Sequence, residues 1–174
     1  MDKLAIVVFG GAELLPGTRL ANQQFRQYLQ IAKAPYWEII WEPTEDGLAH
    51  LNYPIVAIGF SYGAVKVAAL QTPTVIGKIL VDGWCVWCSD RVPIFRLSHD
   101  RLTHLNALAF GGGRQLFCAQ PAVEHLQLWR APQQVLGWVE GDRQAQQSAA
   151  DFLLASITST CVVEIDGTVT TFRP

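Results

Sequence analysis

One stretch constrains this chain more than any other. Ile55-Val56-Ala57-Ile58 is a short, β-branched apolar run, Gly59-Phe60-Ser61-Tyr62-Gly63 follows it, and the residues to Leu70 suit a helix. A serine hydroxyl is a weak nucleophile unless it is held exposed beside a base. A sharp strand-to-helix turn exposes it, and small residues must flank the serine because the backbones crowd there. Gly59 and Gly63 supply that space. The five-residue pattern alone is common; a strand before it and a helix after it are the context that gives it meaning.

The surrounding chain reads as alternating strands and helices. Leu4 to Phe9 is a continuous apolar run of the kind found in buried parallel strands, stopped by Gly10-Gly11-Ala12. Leu20, Phe25, Tyr28, Leu29 and Ile31 fit one face of a helix over 19–32. Further strands are expected at Trp37–Trp41, Ile55–Gly59, Gly77–Asp82 and Gln115–Ala119. A short helix is expected near Leu48 and another over 100–109. Residues 83–104 read as an irregular excursion over the strand ends, a candidate lid. The stretch from His125 to Val139 is ambiguous, because Pro132 and Gly137 oppose one long helix. A helix is expected over 142–157, and the tail from Cys161 to Phe172 alternates around Asp166-Gly167, a hairpin signal.

Strands separated by helices imply a single α/β domain spanning residues 1–174, with a mainly parallel sheet and helices on both faces. Ligands of such sheets bind beyond the carboxyl ends of the strands. Ser61, Gly10-Gly11, Asp82 and Ala119-Gln120 fall at such ends.

Composition excludes some partners. The net charge is −2 and the basic residues are scattered, which argues against a nucleic-acid surface. The apolar run after Met1-Asp2-Lys3 is too short for a signal segment or a membrane span, so a cytoplasmic protein with no membrane partner is expected. In that setting Cys85, Cys88, Cys118 and Cys161 are expected as buried thiols rather than a disulfide framework.

The elbow Gly59-Phe60-Ser61-Tyr62-Gly63 resembles that of the α/β-hydrolase superfamily in a minimal, single-domain form, a three-layer α/β/α sandwich. The resemblance covers about Leu4 to Ile157, and only the elbow is specific. It implies Ser61 as nucleophile and the Tyr62 backbone N–H as one oxyanion donor. The second donor would come from Gly11 or Ala12. The family's chain order is Ser, acid, His. Pancreatic-type lipases are similar in carrying the acid at the strand end directly after the elbow helix and the histidine in a His-Leu loop. That implies Asp82, within Ile79-Leu80-Val81-Asp82-Gly83, and His125, within Val123-Glu124-His125-Leu126. The family's usual histidine position, near Glu140-Gly141-Asp142, holds none here. His104 and His99 are the alternative bases.

The expected activity is that of a serine hydrolase acting on a small to medium ester or thioester through Ser61, His125 and Asp82. Its partner would be a small acyl substrate, and no metal or organic cofactor is required. Trp84, Trp87 and Phe95 are expected to line the acyl pocket. A catalytically inactive binding protein of the same fold is the first alternative. A thiol redox protein is the second, because Trp84-Cys85-Val86-Trp87-Cys88 looks like a thioredoxin-type motif. Zinc on Cys85, Cys88 and Cys118 or a histidine is disfavoured, since a lone C-x-x-C lacks a second pair. An exposed strand edge in the tail makes a homodimer a candidate assembly.

Overall fold

In a computed structural model of the chain, residues 3–13, 16–88, 91–165 and 168–171 are described. The elements run β1 (Leu4–Phe9), α1 (Thr18–Ala32), β2 (Trp37–Trp41), α2 (Glu45–Ala49), β3 (Ile55–Phe60), α3 (Tyr62–Ala69), β4 (Val75–Val81), β5 (Ile94–Ser98), α4 (Arg101–Ala109), β6 (Gln115–Ala119), α5 (His125–Arg130), β7 (Leu136–Val139), β8 (Asp142–Ser148) and α6 (Ala149–Thr160). A tail pair, β9 (Val162–Ile165) and β10 (Thr168–Thr171), forms its own antiparallel two-stranded sheet. The Asp166-Gly167 turn expected there lies outside the described residues.

The main sheet has eight strands in the order β2-β1-β3-β4-β5-β6-β7-β8. Its first six are parallel to their neighbours, and β7 and β8 run antiparallel. β1 and β3 show why the sheet is buried on both sides: every residue of both strands is buried, and successive side chains enter opposite cores. Leu4, Ile6, Val8, Val56, Ile58 and Phe60 join α1, α5 and α6 through Phe25, Leu29, Trp129, Phe152 and Leu153. Ala5, Val7, Phe9, Ile55 and Ala57 face Leu48 of α2 and Ala64 and Val67 of α3.

The chain leaves β1 for β2 on one side and returns to β3 on the other. That reversal is a topological switch point, where α/β sheets leave a crevice at the carboxyl edge. The helices that follow β1 and β3 pack into different cores, and the loops at Gly10 and Ser61 lie at that carboxyl edge.

The structure corrects three expectations. The stretch 83–104 contains β5, the fifth strand of the sheet, so only the part before Ile94 is an excursion. Arg96 interrupts the apolar signature of this strand. Its buried guanidinium donates to the carbonyls of Val86 (2.9 Å), Phe110 (2.8 Å) and Gly112, which satisfies the charge inside the fold. The expected helix over 142–157 divides into β8 and α6, with Ser148 capping α6 by accepting from the Asp151 backbone N–H at 3.0 Å. Phe95 does not line a pocket. It is buried on the α6 side of the sheet with its ring 6.4 Å from Phe152. No helix among the described residues is long and apolar enough to cross a membrane.

Candidate functional site

Ser61 occupies the junction of β3 and α3 with φ 53° and ψ −114°, a conformation costly for a residue with a side chain. The sheet holds it there, because its backbone N–H donates to the Val81 carbonyl at 2.8 Å. Glycine is obligatory on both sides. A Cβ on Gly59 would strike the Gly63 carbonyl, and a Cβ on Gly63 would strike the carbonyls of Phe9 and Gly10. The end of β1 therefore presses directly against the first turn of α3. Tyr62 and Gly63 open that helix, where backbone N–H groups have no intrahelical acceptor. These donors and the Gly10-Gly11-Ala12 loop sit side by side.

That loop is anchored from below. Gly10 donates its N–H to Glu42 at 2.7 Å. The buried Asn22 of α1 donates to the Gly11 carbonyl at 3.4 Å and accepts from Trp129 Nε1 at 3.0 Å. Trp129 stacks on Phe60 at 4.9 Å between centroids, and Phe60 stacks on His125 at 4.7 Å. One polar and aromatic ladder thus connects the glycine loop, the elbow strand and the first residue of α5.

Parallel register brings the acid alongside. Phe60 pairs with Val81 and Val81 with Leu97, so Ser61, Asp82 and the Ser98-His99 pair emerge at successive strand ends. Asp82 has a positive φ of 51° and a fully buried side chain. Its Oδ1 accepts the His99 backbone N–H at 2.8 Å. Its Oδ2 lies 3.0 Å from His125 Nδ1 and 3.1 Å from His99 Nδ1. The other nitrogen of His99, Nε2, is 3.7 Å from Asp100. The hydrogen bond to Asp82, opposed by burial, raises the His99 pKa above the ordinary histidine value.

Ser61, Tyr62, Val65, Asp82, Trp84, His99, Thr103 and His125 line one cavity of about 450 Å³. That volume suits a small ligand. The residues brought together include Ser61, Asp82, His125, His99, Tyr62 and Trp84 from the sequence reading. His104 is elsewhere. It is buried on α4 with its ring 4.8 Å from Trp138, and it lines a different cavity beside Cys118 and Glu140. Trp87 is largely exposed and does not line the Ser61 cavity. Cys85 is exposed and Cys88 buried, both as free thiols, and no helix starts at Cys85.

Among the described residues, Asp82, His99 and His125 are also the side chains whose donor atoms cluster closely enough to hold a metal ion. Sequence reasoning missed the attachment of His99 to the same carboxylate as His125, and it missed Asn22 and Trp129. The spacing in Ser98-His99-Asp100 placed His99 among the bases, but its partner is fixed by β4 and β5 lying adjacent, and that pairing was hidden with β5. No family model, curated protein or solved structure matches the chain.

Proposed function

We propose that this protein is a serine hydrolase of the three-layer α/β-hydrolase type, acting on a small to medium ester or thioester. One observation carries the reading. Ser61, on a strained strand–helix turn, shares a cavity with His125, whose Nδ1 is held at 3.0 Å by the buried Asp82.

The two histidines differ in what their second nitrogen faces. His125 directs Nδ1 to Asp82, so the proton belongs on Nδ1 and Nε2 is left to accept. His99 has carboxylates near both nitrogens, Asp82 at Nδ1 and Asp100 at Nε2, which favours its charged form over the role of base. His125 is the base on this reading, and its ring is packed on Phe60, the residue before the nucleophile. In the first half-reaction Ser61 Oγ bonds to the acyl carbon while His125 Nε2 takes the hydroxyl proton. Asp82 stabilises the imidazolium and is not itself protonated. The imidazolium then returns the proton to the departing alcohol or thiol. A water repeats the sequence against the acyl-enzyme. The backbone N–H groups of Tyr62 and of Gly11 or Ala12 receive the oxyanion, and losing one such donor typically costs about 3 kcal/mol of barrier. Tyr62, Val65 and Trp84 give the cavity an apolar wall for the acyl group.

The test is labelling by a fluorophosphonate probe followed by peptide mapping. The label is expected on Ser61 and is expected to vanish in Ser61→Ala. A wild-type protein that stays unlabelled overturns the reading, and leaves a non-catalytic binding protein on the same scaffold.

A further inference from the structure

Asp82, His99 and His125 are gathered more tightly than acyl transfer requires. A triad uses one imidazole per carboxylate, yet two Nδ1 atoms converge on the single Oδ2 of Asp82, at 3.0 and 3.1 Å. One ligand atom from each of the three side chains lies within 4.8 Å of the other two. A tetrahedral zinc with bonds of about 2.0–2.1 Å separates neighbouring ligand atoms by about 3.3 Å. Two of the three edges, at 3.0 and 3.1 Å, are therefore already close to that length.

The geometry points to a site for a divalent cation of the zinc type on Asp82 Oδ2, His99 Nδ1 and His125 Nδ1, and its occupancy turns the catalytic base off. Two imidazoles and one carboxylate suit zinc and its borderline neighbours better than magnesium or calcium, which favour all-oxygen shells. A ligating histidine characteristically donates its other ring N–H to a carboxylate. Asp100 Oδ2, 3.7 Å from His99 Nε2, is the carboxylate beside that nitrogen, within ion-pair range but beyond hydrogen-bond length. Asp82, His99 and His125 all line the cavity that Ser61 also lines, so water or a substrate oxygen can reach a cation held there.

The switch follows from proton placement. Without metal, Nδ1–H of His125 donates to Asp82 and Nε2 is unprotonated. A cation displaces the Nδ1 proton and bonds to the in-plane lone pair so freed, and the ring takes a proton at Nε2 instead. His125 loses no proton, while His99, charged in the metal-free site, releases its Nδ1 proton to solvent as the cation binds. The His125 atom that must accept from Ser61 is now occupied. The metal also takes the carboxylate oxygen that would stabilise an imidazolium. This consequence rests on the hydrolase reading, whereas cation binding by the three side chains does not.

The experiment keeps the two apart. Zn²⁺ alone is titrated by calorimetry into the full chain carrying Ser61→Ala, which removes the nucleophile and none of the three ligands. A single tight equivalent is expected. His99→Ala and His125→Ala are each expected to weaken it at least tenfold, and Asp100→Asn, which keeps the side-chain oxygen that caps α4, by about tenfold. The Co²⁺ complex is expected to show visible bands without thiolate charge-transfer absorption. Circular dichroism checks folding, and His125→Ala, at the first residue of α5, decides the matter should His99→Ala fail to fold. Absence of binding, or wild-type affinity in the folded histidine variants, overturns the site. In the wild-type protein, Zn²⁺ is expected to suppress fluorophosphonate labelling and a chelator to restore it. Binding with labelling unchanged overturns the switch. Binding in a protein that never labels leaves the cation site standing and removes the hydrolase.

Discussion

Asp82 holds His99 twice, accepting its backbone N–H on Oδ1 at 2.8 Å and facing its ring Nδ1 with Oδ2 at 3.1 Å. The first contact survives any change of the His99 side chain, so the carboxylate keeps its orientation toward His125. The variants should therefore rank. Asp82→Asn is expected to lower the rate of ester turnover by roughly 10³–10⁴, because the wrong tautomer of His125 is then favoured. His125→Ala should be comparably damaged. His99→Ala should lose about tenfold, the low end for a group that acts through a neighbour. Initial rates on a chromogenic short-chain ester measure all three. A His99→Ala protein as inactive as His125→Ala would reassign the base.

The ladder from Gly11 to His125 gives a separate test. Asn22 is buried, accepting from Trp129 and donating to the Gly11 carbonyl. Trp129→Phe keeps most of the stacking on Phe60 but strands the Asn22 oxygen. The expected loss is about 1–3 kcal/mol, read by urea unfolding. Asn22→Ala also frees the Gly10-Gly11-Ala12 loop, the proposed source of an oxyanion donor, so kcat should fall while KM changes little.

Gly63 makes the closest approach in the elbow. Gly63→Ala directs a methyl at the carbonyls of Phe9 and Gly10, neither of which can rotate away. Overpacking of this kind costs about 1–3 kcal/mol. Here it also forces α3 away from the glycine loop. Thermal unfolding should show the loss, and fluorophosphonate labelling should slow even in protein that remains folded.

Much of this arrangement was legible in the sequence. Leu4–Phe9 and Ile55–Phe60 announce themselves as apolar runs because both faces of those strands are covered. The glycine spacing around Ser61 reports backbone crowding that is local, and local constraints survive in a single sequence. β5 did not announce itself. Arg96 sits in its middle, and the charge is tolerated only because Val86, Phe110 and Gly112, distant in sequence, present their carbonyls to it. The side Phe95 takes depends on that strand as well, since alternation along β5 turns it toward α6 rather than a cavity. β8 is polar and rich in glutamine, and its pairing with β7 overrides a composition that suits a helix. The sharing of Asp82 between two histidines depends on strand order, which no local pattern contains.

Alkaline pH supplies the last prediction. Burial pushes the Cys118 thiol up to about 11 and the Tyr28 hydroxyl up to about 12, Asp151 adding to the latter. Both groups hold their protons more tightly folded than unfolded. Each therefore contributes stability that is fully present below its ordinary value, 9.0 for the thiol and 10.0 for the phenol, and lost as pH rises through the folded one. The urea midpoint is expected to fall as pH rises above about 9, and Tyr28→Phe should flatten the part of the decline above about 10. The Tyr28 hydroxyl is buried without a hydrogen-bond partner among the described residues. Removing it should also stabilise the protein by about 1 kcal/mol near neutral pH, since no bond is lost and a desolvated polar atom is gone. A destabilised Tyr28→Phe protein at neutral pH would mean that the hydroxyl has a partner, and the alkaline argument for that residue would fail with it.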